Sequence, residues 1–283
     1  MGRLQSGYLE IGRCRIHHLW GGRGSPLLMI HGLGSAGYLE YRHALPELVR
    51  KHRVLAPDLP GFGRSEKPPV RYGIPLFTRT LRGYLDALKV ERTTVVGTSL
   101  GGRLAMELAL RYPRRISRVV LVNSFGLGLP GQLFYGLLAL PGVGELILWM
   151  TKVGLGRISF PLFRGFAARL KLVGNVEQSL DSDYLTALSE IYADPGAAQA
   201  YLATVRALIL HSLPSRLAEL SRLKMPVDLI WGREDRLFPL IHAEQAHRLL
   251  TGSRLAVIEG AGHSPQNENP AEFNRALLSF LRG

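Results

Sequence analysis

The stretch with the clearest chemical meaning sets a serine between two glycines, Gly97-Thr-Ser-Leu-Gly101. It follows a predicted strand at 94–96 and precedes a predicted helix that begins at Leu100. A strand-to-helix turn this tight needs flanking glycines, and it raises the hydroxyl of Ser99 above the carboxyl edge of a sheet. The first amides and the dipole of the helix point to the same place. Ser99 is therefore the candidate nucleophile.

A serine hydroxyl needs a base to remove its proton, and the base needs a carboxylate to orient it. Among nine histidines, His263 is the best placed, because it lies in a glycine-rich loop (260–264) after the last predicted strand. Asp235 follows the predicted strand 227–231, and Glu234 beside it is its rival. The candidate catalytic residues, in chain order, are Ser99, Asp235 and His263.

Attack on a carbonyl creates an oxyanion, which needs hydrogen-bond donors. The backbone amide of Leu100, the residue after the nucleophile, is one candidate. A second glycine-rich turn, His31-Gly-Leu-Gly-Ser35, follows the third predicted strand and offers the amide of Leu33. We interpret His31 itself as a structural, hydrogen-bonding histidine and not as a second base.

The elements that must position these residues alternate in the manner of βα units around a parallel sheet. The inner strands are almost wholly apolar, as expected of strands covered by helices on both faces. We predict strands at 8–11, 14–17, 27–30, 54–56, 94–96, 119–122, 227–231 and 255–258, and helices at 38–50, 75–88, 100–111, 242–250 and 270–281.

Between Asn123 and about Leu213 this alternation stops, and helices separated by glycine and proline are predicted instead. We expect residues 123–213 to form a helical cap, with 1–122 and 214–283 forming the core domain. Residues 133–150 are nearly all apolar, yet proline, glycine and glutamate interrupt them, which favours two short helices over a membrane span. Their apolar side chains could cover a pocket or contact a membrane surface or a second subunit.

The composition of the 283 residues, 46% hydrophobic and 20% charged, indicates a folded globular protein. The net charge is +13, and residues 1–122 hold 20 basic against 8 acidic side chains. Because these charges are scattered, we interpret them as solvated surface and expect no nucleic-acid partner. The single cysteine, Cys14, and the lack of an apolar secretory segment at the N-terminus predict a cytoplasmic protein.

Five motifs occur in a characteristic order: His31-Gly32, Asp58-Leu-Pro-Gly-Phe-Gly-Arg-Ser65, Gly97-Thr-Ser-Leu-Gly-Gly102, Gly232-Arg-Glu-Asp235 and Gly260-Ala-Gly-His263. From about residue 27 onward the chain resembles the α/β-hydrolase fold family, in its branch with a helical cap. The resemblance implies an α/β-hydrolase fold, an eight-stranded, mostly parallel sheet flanked by helices, with the active site between sheet and cap. It does not name a substrate.

The resemblance limits the reactions that this site is expected to catalyse. Haloalkane dehalogenases and epoxide hydrolases of this family need an aspartate where this chain has Ser99, so attack at an acyl carbon fits better. The C–C hydrolases of ring-fission products resemble it in Ser-Leu-Gly-Gly and in Val122-Asn-Ser124. Those enzymes usually carry a cap arginine and an aromatic residue beside the histidine, whereas here the helix at 183–192 lacks arginine and Ser264 follows His263. Arginines elsewhere in the cap could still reach the site: Arg157, Arg164, Arg169 or Arg206.

We therefore expect a carboxylesterase for hydrophobic, short to medium acyl or aryl esters, with a C–C hydrolase as the alternative and a non-catalytic binding protein as an alternative of another class. The expected reaction needs no metal and no organic cofactor. The expected partner is a small hydrophobic ester, there is no integral membrane span, and a homodimer is left open. Expected pocket residues are Gly32, Phe134, Leu137, Leu138, Trp149 and Phe238.

Overall fold

The computed structural model describes residues 3–129, 134–154, 179–211 and 215–282. Its strands are β1 Leu4–Ile11, β2 Cys14–Gly21, β3 Pro26–Ile30, β4 Arg53–Pro57, β5 Thr93–Thr98, β6 Ile116–Val122, β7 Val227–Gly232 and β8 Arg254–Ile258. The helices of the core are α1 Gly37–Glu40, α2 Leu45–Leu48, α3 Ile74–Ala87, α4 Leu100–Arg111, α9 Ile241–Leu249, α10 Pro265–Glu268 and α11 Pro270–Arg282. Between β6 and β7 lie α5 Phe134–Ala139, α6 Val143–Gly154, α7 Ser182–Ala193 and α8 Pro195–His211.

All eight strands join one sheet in the order β1-β2-β4-β3-β5-β6-β7-β8. β1 and β2 form an antiparallel hairpin, β2 pairs antiparallel with β4, and every other pair is parallel. Because parallel strands end at the same edge, the residues after β3, β5, β6, β7 and β8 gather along one line. The predicted eight-stranded, mostly parallel sheet is confirmed.

The sheet is buried between two apolar layers, which explains its nearly continuous hydrophobic strands. On one face, α3, α4 and α9 pack on a cluster that includes Leu28, Val95 and Leu229. On the other face, α11 and α2 pack on Met29, Val96 and Ile230, the alternate residues of the same strands. This alternation holds the central strands rigid and therefore fixes the loops at their ends.

The prediction of a single helix over 38–50 was wrong. The structure has the short helices α1 and α2, with a turn between them in which both Ala44 and Leu45 donate to the carbonyl of Tyr41. Pro46 lies in the first turn of α2, where its missing amide costs no helical hydrogen bond, so it favours a new helix start. The other four predicted core helices are present, within one residue of their predicted bounds.

The segment between β6 and β7 is helical wherever the structure describes it as regular, as the sequence indicates. α8 packs with Ala200 and Leu208 into the cluster on the first face, and α7 packs with Ile191 against Ala36 and Leu39. Within the described ranges, no helix is long and apolar enough to cross a membrane. The segment thus lies against the loop that follows β3.

Candidate active site

Ser99 occupies a strained turn between β5 and α4. Its φ of 53° lies in the left-handed region, which non-glycine residues rarely adopt. The turn closes so tightly that a side chain at Gly97 would strike the carbonyl of Gly101, and one at Gly101 would strike that of Ile30. The glycines on both sides of Ser99 are therefore required by contact between backbones, and they let the half-buried serine stand at the sheet edge.

Asp235 and His263 meet at the same edge. Asp235 is buried, and its Oδ2 accepts a hydrogen bond of 2.9 Å from His263 Nδ1. Its Oδ1 accepts from the amides of Leu237 at 2.8 Å and Phe238 at 3.0 Å. Because a carboxylate only accepts, Nδ1 carries the imidazole proton and Nε2 is left as the basic nitrogen. The rival carboxylate, Glu234, is exposed.

The surroundings of His263 favour its protonated form. Burial by itself would lower the pKa of His263, but the charge and hydrogen bond of Asp235, followed by the charges of Glu40 and Glu268, outweigh it. The pKa therefore lies above the ordinary value of 6.5. An imidazole stabilised in this way accepts a proton readily, which is what a general base does.

Asn123, which sequence analysis did not single out as a site residue, links three of the loops at this edge. It directly follows β6, is fully buried, and has a φ of 40°. Its Oδ1 accepts from the amide of Gly232 at 3.1 Å, which turns Nδ2 towards Asp235 Oδ2 at 2.5 Å and the carbonyl of Gly262 at 3.2 Å. Asp235 Oδ2 is thus shared by the asparagine amide and the imidazole.

Glu268 holds the histidine loop from below. It is 3% exposed, and its two oxygens accept from the amides on either side of His263, Gly262 at 2.7 Å and Ser264 at 2.8 Å. The carboxylate lies in the short helix α10, which the sequence reading did not predict, because a four-residue helix has no periodicity to detect. The Ser-Pro-Gln-Asn-Glu segment after His263 was the signal that could have marked it, since serine and proline favour a helix start.

A second buried carboxylate, Glu40, connects the histidine side of the site to the serine side. Gln266 donates from Nε2 to Glu40 Oε1 at 2.6 Å, and the amide of Gly32 donates to Glu40 Oε2 at 3.4 Å. A Cβ on Gly32 would stand 3.4 Å from the Cβ of Ser99. The loop after β3 therefore runs beside the nucleophile and is tied through Glu40 to the helix after His263.

The predicted oxyanion donors, the amides of Leu33 and Leu100, belong to residues directly after Gly32 and Ser99. Leu100 is the first residue of α4, where helix geometry leaves the amide without an intrahelical acceptor. Leu33 follows Gly32 and packs with Leu138 and Leu202 under the inserted helices. His31 is fully buried, its Nδ1 bonded to the carbonyl of Gly32 at 2.7 Å and its Nε2 accepting from the amide of Leu59 at 2.9 Å. Both of its nitrogens are used structurally, in agreement with the interpretation of His31.

The predicted pocket residues differ in burial, and Gly32, which lies next to Ser99, is buried. Phe238 is buried against His263, with ring centroids 5.4 Å apart, and Leu138 is buried beneath Leu33. Leu137 and Trp149 are 48% and 63% exposed, so we no longer assign them to the pocket. Phe134 begins α5, but its side chain lies outside the described residues.

Of the four cap arginines that could recognise a charged substrate, the structure describes the side chain of one. Arg206 donates to the carbonyl of Ala139 at 3.1 Å and to both oxygens of Glu145 at 2.8 and 2.9 Å, so its guanidinium is engaged. Arg157, Arg164 and Arg169 lie outside the described residues. In the part of the chain that the structure describes, no group of three or more His, Cys, Asp or Glu side chains is arranged to hold a metal ion.

Comparison with known proteins identifies the family of the chain. Residues 25–270 match the family model of the alpha/beta hydrolase fold, and the chain belongs to this family. It is 31% identical to a 2-hydroxy-6-oxo-2,4-heptadienoate hydrolase of Pseudomonas putida, over 92% of this chain and 90% of that one. It is 32% identical to the 2-hydroxymuconate semialdehyde hydrolase of Pseudomonas sp. strain CF600, over 92% and 88%. Among solved structures, a bacterial membrane phospholipase A is 26% identical, with a TM-score of 0.77 over 99% of this chain and 86% of that one.

Proposed function

We propose that the chain is a serine hydrolase in which Ser99 is the nucleophile, His263 the general base and Asp235 the carboxylate that orients the imidazole. The observation that carries the proposal is the bond of 2.9 Å between His263 Nδ1 and buried Asp235, at the sheet edge where β5 ends next to Ser99. An oriented base at the same sheet edge as a strained serine is the arrangement expected to activate a hydroxyl group.

In the proposed reaction, Ser99 Oγ attacks a carbonyl carbon and its proton passes to His263 Nε2. The amides of Leu33 and Leu100 stabilise the oxyanion, and Asp235 stabilises the imidazolium. The leaving group takes the proton from His263, which leaves an acyl-enzyme. Water then follows the same route and releases the acid, so side chains and water suffice for every step.

For the substrate we propose a conjugated dienoate with a carbonyl at its far end, of the type named in the two curated relatives. The 2-hydroxyl group first ketonises, so that its proton moves to the chain carbon next to the far carbonyl and makes that carbon tetrahedral. The bond between this carbon and the carbonyl carbon attacked by Ser99 then breaks, and the electron pair is delocalised to the 2-oxygen as a dienolate. The dienolate takes the proton held by His263. Identities of 31% and 32% over 92% of the chain favour this C–C hydrolase over the esterase that the apolar cap residues led us to expect.

Ester hydrolysis is the second candidate function, and particular residues favour it. Ser264 follows His263 where an aromatic residue is expected of the C–C hydrolases, and α7 contains no arginine. The buried contacts around the site, Phe238 and Leu138 with Leu33, suit an uncharged acyl chain. The 26% identity to a membrane phospholipase A points in the same direction.

We further propose that residues 123–213 act as a cap over this site. A side chain at Gly34 would meet the hydroxyl of Tyr192 at 2.8 Å and the ring of Tyr201 at 2.9 Å. α7 and α8 therefore touch the glycine-rich loop beside Ser99. Such a contact supports a substrate site between the sheet edge and the inserted helices.

Labelling with a fluorophosphonate probe, located by peptide mass spectrometry, tests the nucleophile. We expect modification at Ser99 that disappears in Ser99→Ala and persists in Ser124→Ala, a buried serine close to the elbow. Folded wild-type protein that does not react at Ser99 would overturn the serine-hydrolase proposal.

The substrate is tested separately by comparing kcat/KM for one ring-fission dienoate with a series of p-nitrophenyl esters of increasing chain length. We expect the dienoate to be preferred by at least about tenfold. Preference for an ester would replace the substrate proposal with the second candidate and leave the serine mechanism intact. Replacing Arg157, Arg164 and Arg169 one at a time by glutamine would show which of them raises KM for the anionic dienoate.

A further inference from the structure

Exposed apolar side chains concentrate on one helical hairpin, formed by α5 and α6. Ten large apolar side chains are exposed in the described part of the chain, and six of them fall between residues 129 and 149. Five of these six, Leu137, Leu140, Val143, Leu146 and Trp149, belong to the hairpin, and Leu129 precedes it. Single exposed apolar residues need no explanation, but a contiguous group on adjoining helices marks an interaction site.

The inner side of the same hairpin is buried against the rest of the protein. Leu138 is 1% exposed and packs with Leu202 and Val205 of α8. Ile147 and Leu148 of α6 lie against the same cluster, partly buried. A helix at the surface of a globular protein normally turns polar residues outward once its apolar stripe is buried. Packing within the described part of the chain therefore does not explain why the outer residues of this hairpin are apolar.

The outer residues of α6 form a continuous stripe. Val143, Leu146 and Trp149 follow one another at intervals of three residues, so they share one side of the helix. Glu145 precedes Trp149 by four residues and borders this stripe, with its side chain 52% exposed. Its carboxylate pairs with Arg206 of α8 at 2.8 Å, which offsets its charge. The other exposed residues of α6 that the structure describes are apolar.

We propose that this hairpin docks on the surface of a lipid bilayer that contains anionic lipids, with Trp149 and Leu146 entering the boundary between headgroups and acyl chains. Amphipathic helices that bind in this way bury leucine and tryptophan on one side and carry basic residues near the headgroups. Charge in the sequence after Trp149 supports such a partner, because residues 150–176 contain five basic and no acidic residues.

The same charges disfavour a second copy of the chain as the partner. A twofold interface would bring together two copies of a chain whose net charge is +13. Like charges repel, whereas an anionic membrane surface attracts each lysine or arginine that comes near it. The proposal concerns docking and does not depend on which carbonyl substrate is hydrolysed.

Co-sedimentation with vesicles tests the proposal. We expect the full chain to pellet with vesicles of phosphatidylcholine containing about 30% phosphatidylglycerol, and to pellet at least about tenfold less with phosphatidylcholine alone. Raising the salt concentration to about 0.5 M should release much of the bound protein, because the electrostatic part is screened. The double variant Leu146→Ser/Trp149→Ser should bind the anionic vesicles at least about tenfold more weakly.

The matched control is Ile241→Ser/Leu249→Ser, which removes two side chains of similar exposure, 44% and 51%, from α9. It should bind like the wild type. Tryptophan quenching by lipids brominated on their acyl chains adds a test with a milder variant. Quenching that occurs in the wild type and is absent from Trp149→Phe would place Trp149 in the boundary. Lack of pelleting, equal pelleting of the two double variants, or a dimer in sedimentation analysis that protects Trp149 would each overturn the proposal.

Discussion

Asp235 is the residue on which the hydrogen bonds of the site converge. Two backbone amides fix Oδ1, and Oδ2 is shared by His263 and Asn123. Hydrogen-bond donors on both oxygens hold the carboxylate in one orientation, which is the role assigned to it beside the imidazole. Asn123 contributes to this direction without facing the reacting atoms, so we regard it as a positioning residue.

Replacing Asn123 should show whether it positions Asp235 for the reaction or only stabilises the fold. Asn123→Ala removes one donor from a charged acceptor, and we expect kcat/KM to fall about tenfold to a hundredfold, consistent with ~1.5–3 kcal/mol for such a bond. Asn123→Asp brings a second carboxylate next to Asp235, so the two must share a proton and the pH profile should change shape. Asn274→Ala, in which the lost amide bonds only to the carbonyl of His43 among the contacts of the described residues, is the control. Unchanged pH profiles in both Asn123 variants would contradict the positioning role.

The raised pKa of His263 predicts the acid limb of the activity profile. The base must be neutral, so kcat/KM should fall as the pH drops through the pKa of the free enzyme. Because Asp235, Glu40 and Glu268 outweigh burial, the midpoint should lie above 6.5. A rate that does not change between about pH 5 and 8 would rule out His263 as the base.

At the scale of elements, short segments hold the site together. α10 carries Glu268 beneath the histidine loop and Gln266 towards Glu40, so four residues of helix connect the loops after β8 and β3. The longer helices bury apolar side chains, whereas this short helix orients the loops that carry His263 and Gly32. Elements of this size are stable when tertiary contacts fix them, because an isolated helical turn costs more conformational entropy than its hydrogen bonds return.

Glu268→Gln tests this contribution. The amide keeps one acceptor oxygen but turns an NH₂ group towards a backbone amide, so the loop around His263 should loosen and kcat should fall more than KM rises. Loss of the charge should also lower the midpoint of the acid limb, because Glu268 is one of the groups that raise the pKa of His263. Glu272→Gln, on α11, removes a carboxylate that accepts from Asn269 and should leave both quantities unchanged. A midpoint that stays at the wild-type value in Glu268→Gln would contradict the assignment.

At the scale of the whole molecule, the buried sheet has a titratable group far from the site. His18 of β2 is 4% exposed, stacked on Trp20 and bonded to the hydroxyl of Tyr84 at 2.8 Å. Burial, assisted by the charge of His17, lowers the pKa of His18 to about 4. The folded protein therefore keeps this imidazole neutral in a range where the unfolded chain would protonate it.

The free energy of unfolding should consequently decrease as the pH falls from about 6.5 to about 4. The contribution of His263 to the free energy of unfolding has the opposite pH dependence. Because its pKa is raised in the folded protein, it adds stability below pH 6.5, and this stability is lost as the pH rises through the pKa of the folded state. Comparing His18→Gln with the wild type isolates the first contribution. Urea unfolding at several pH values should show a smaller loss on acidification in the variant, and parallel curves would refute the assignment.

Much of the architecture could be predicted from local pattern. Apolar runs bounded by glycine, proline or aspartate marked all eight strands, and the Gly-x-Ser-x-Gly turn fixed the place of Ser99 relative to β5 and α4. The helix predicted at 38–50 failed because tertiary contacts override propensity, with Tyr41 buried and bonded to the carbonyl of Ile30 at 2.8 Å. Glu40 could not be recognised as a site residue, since its partners Gly32 and Gln266 lie 8 and 226 residues away.

The sequence by itself determined the order of elements and the glycines around the elbow. It also predicted the candidates Ser99, Asp235 and His263. Tight turns and buried strands accept few residue types, so their positions can be recognised from local sequence. The tertiary structure decided which groups surround His263 and which side of the α5–α6 hairpin faces solvent. Both depend on contacts between residues that are distant in the chain, and hydrophobic periodicity carries no information about such contacts. Asn123 shows the difference: its residue type is local, but its bond to Asp235 exists because β6 and β7 are neighbours in the sheet.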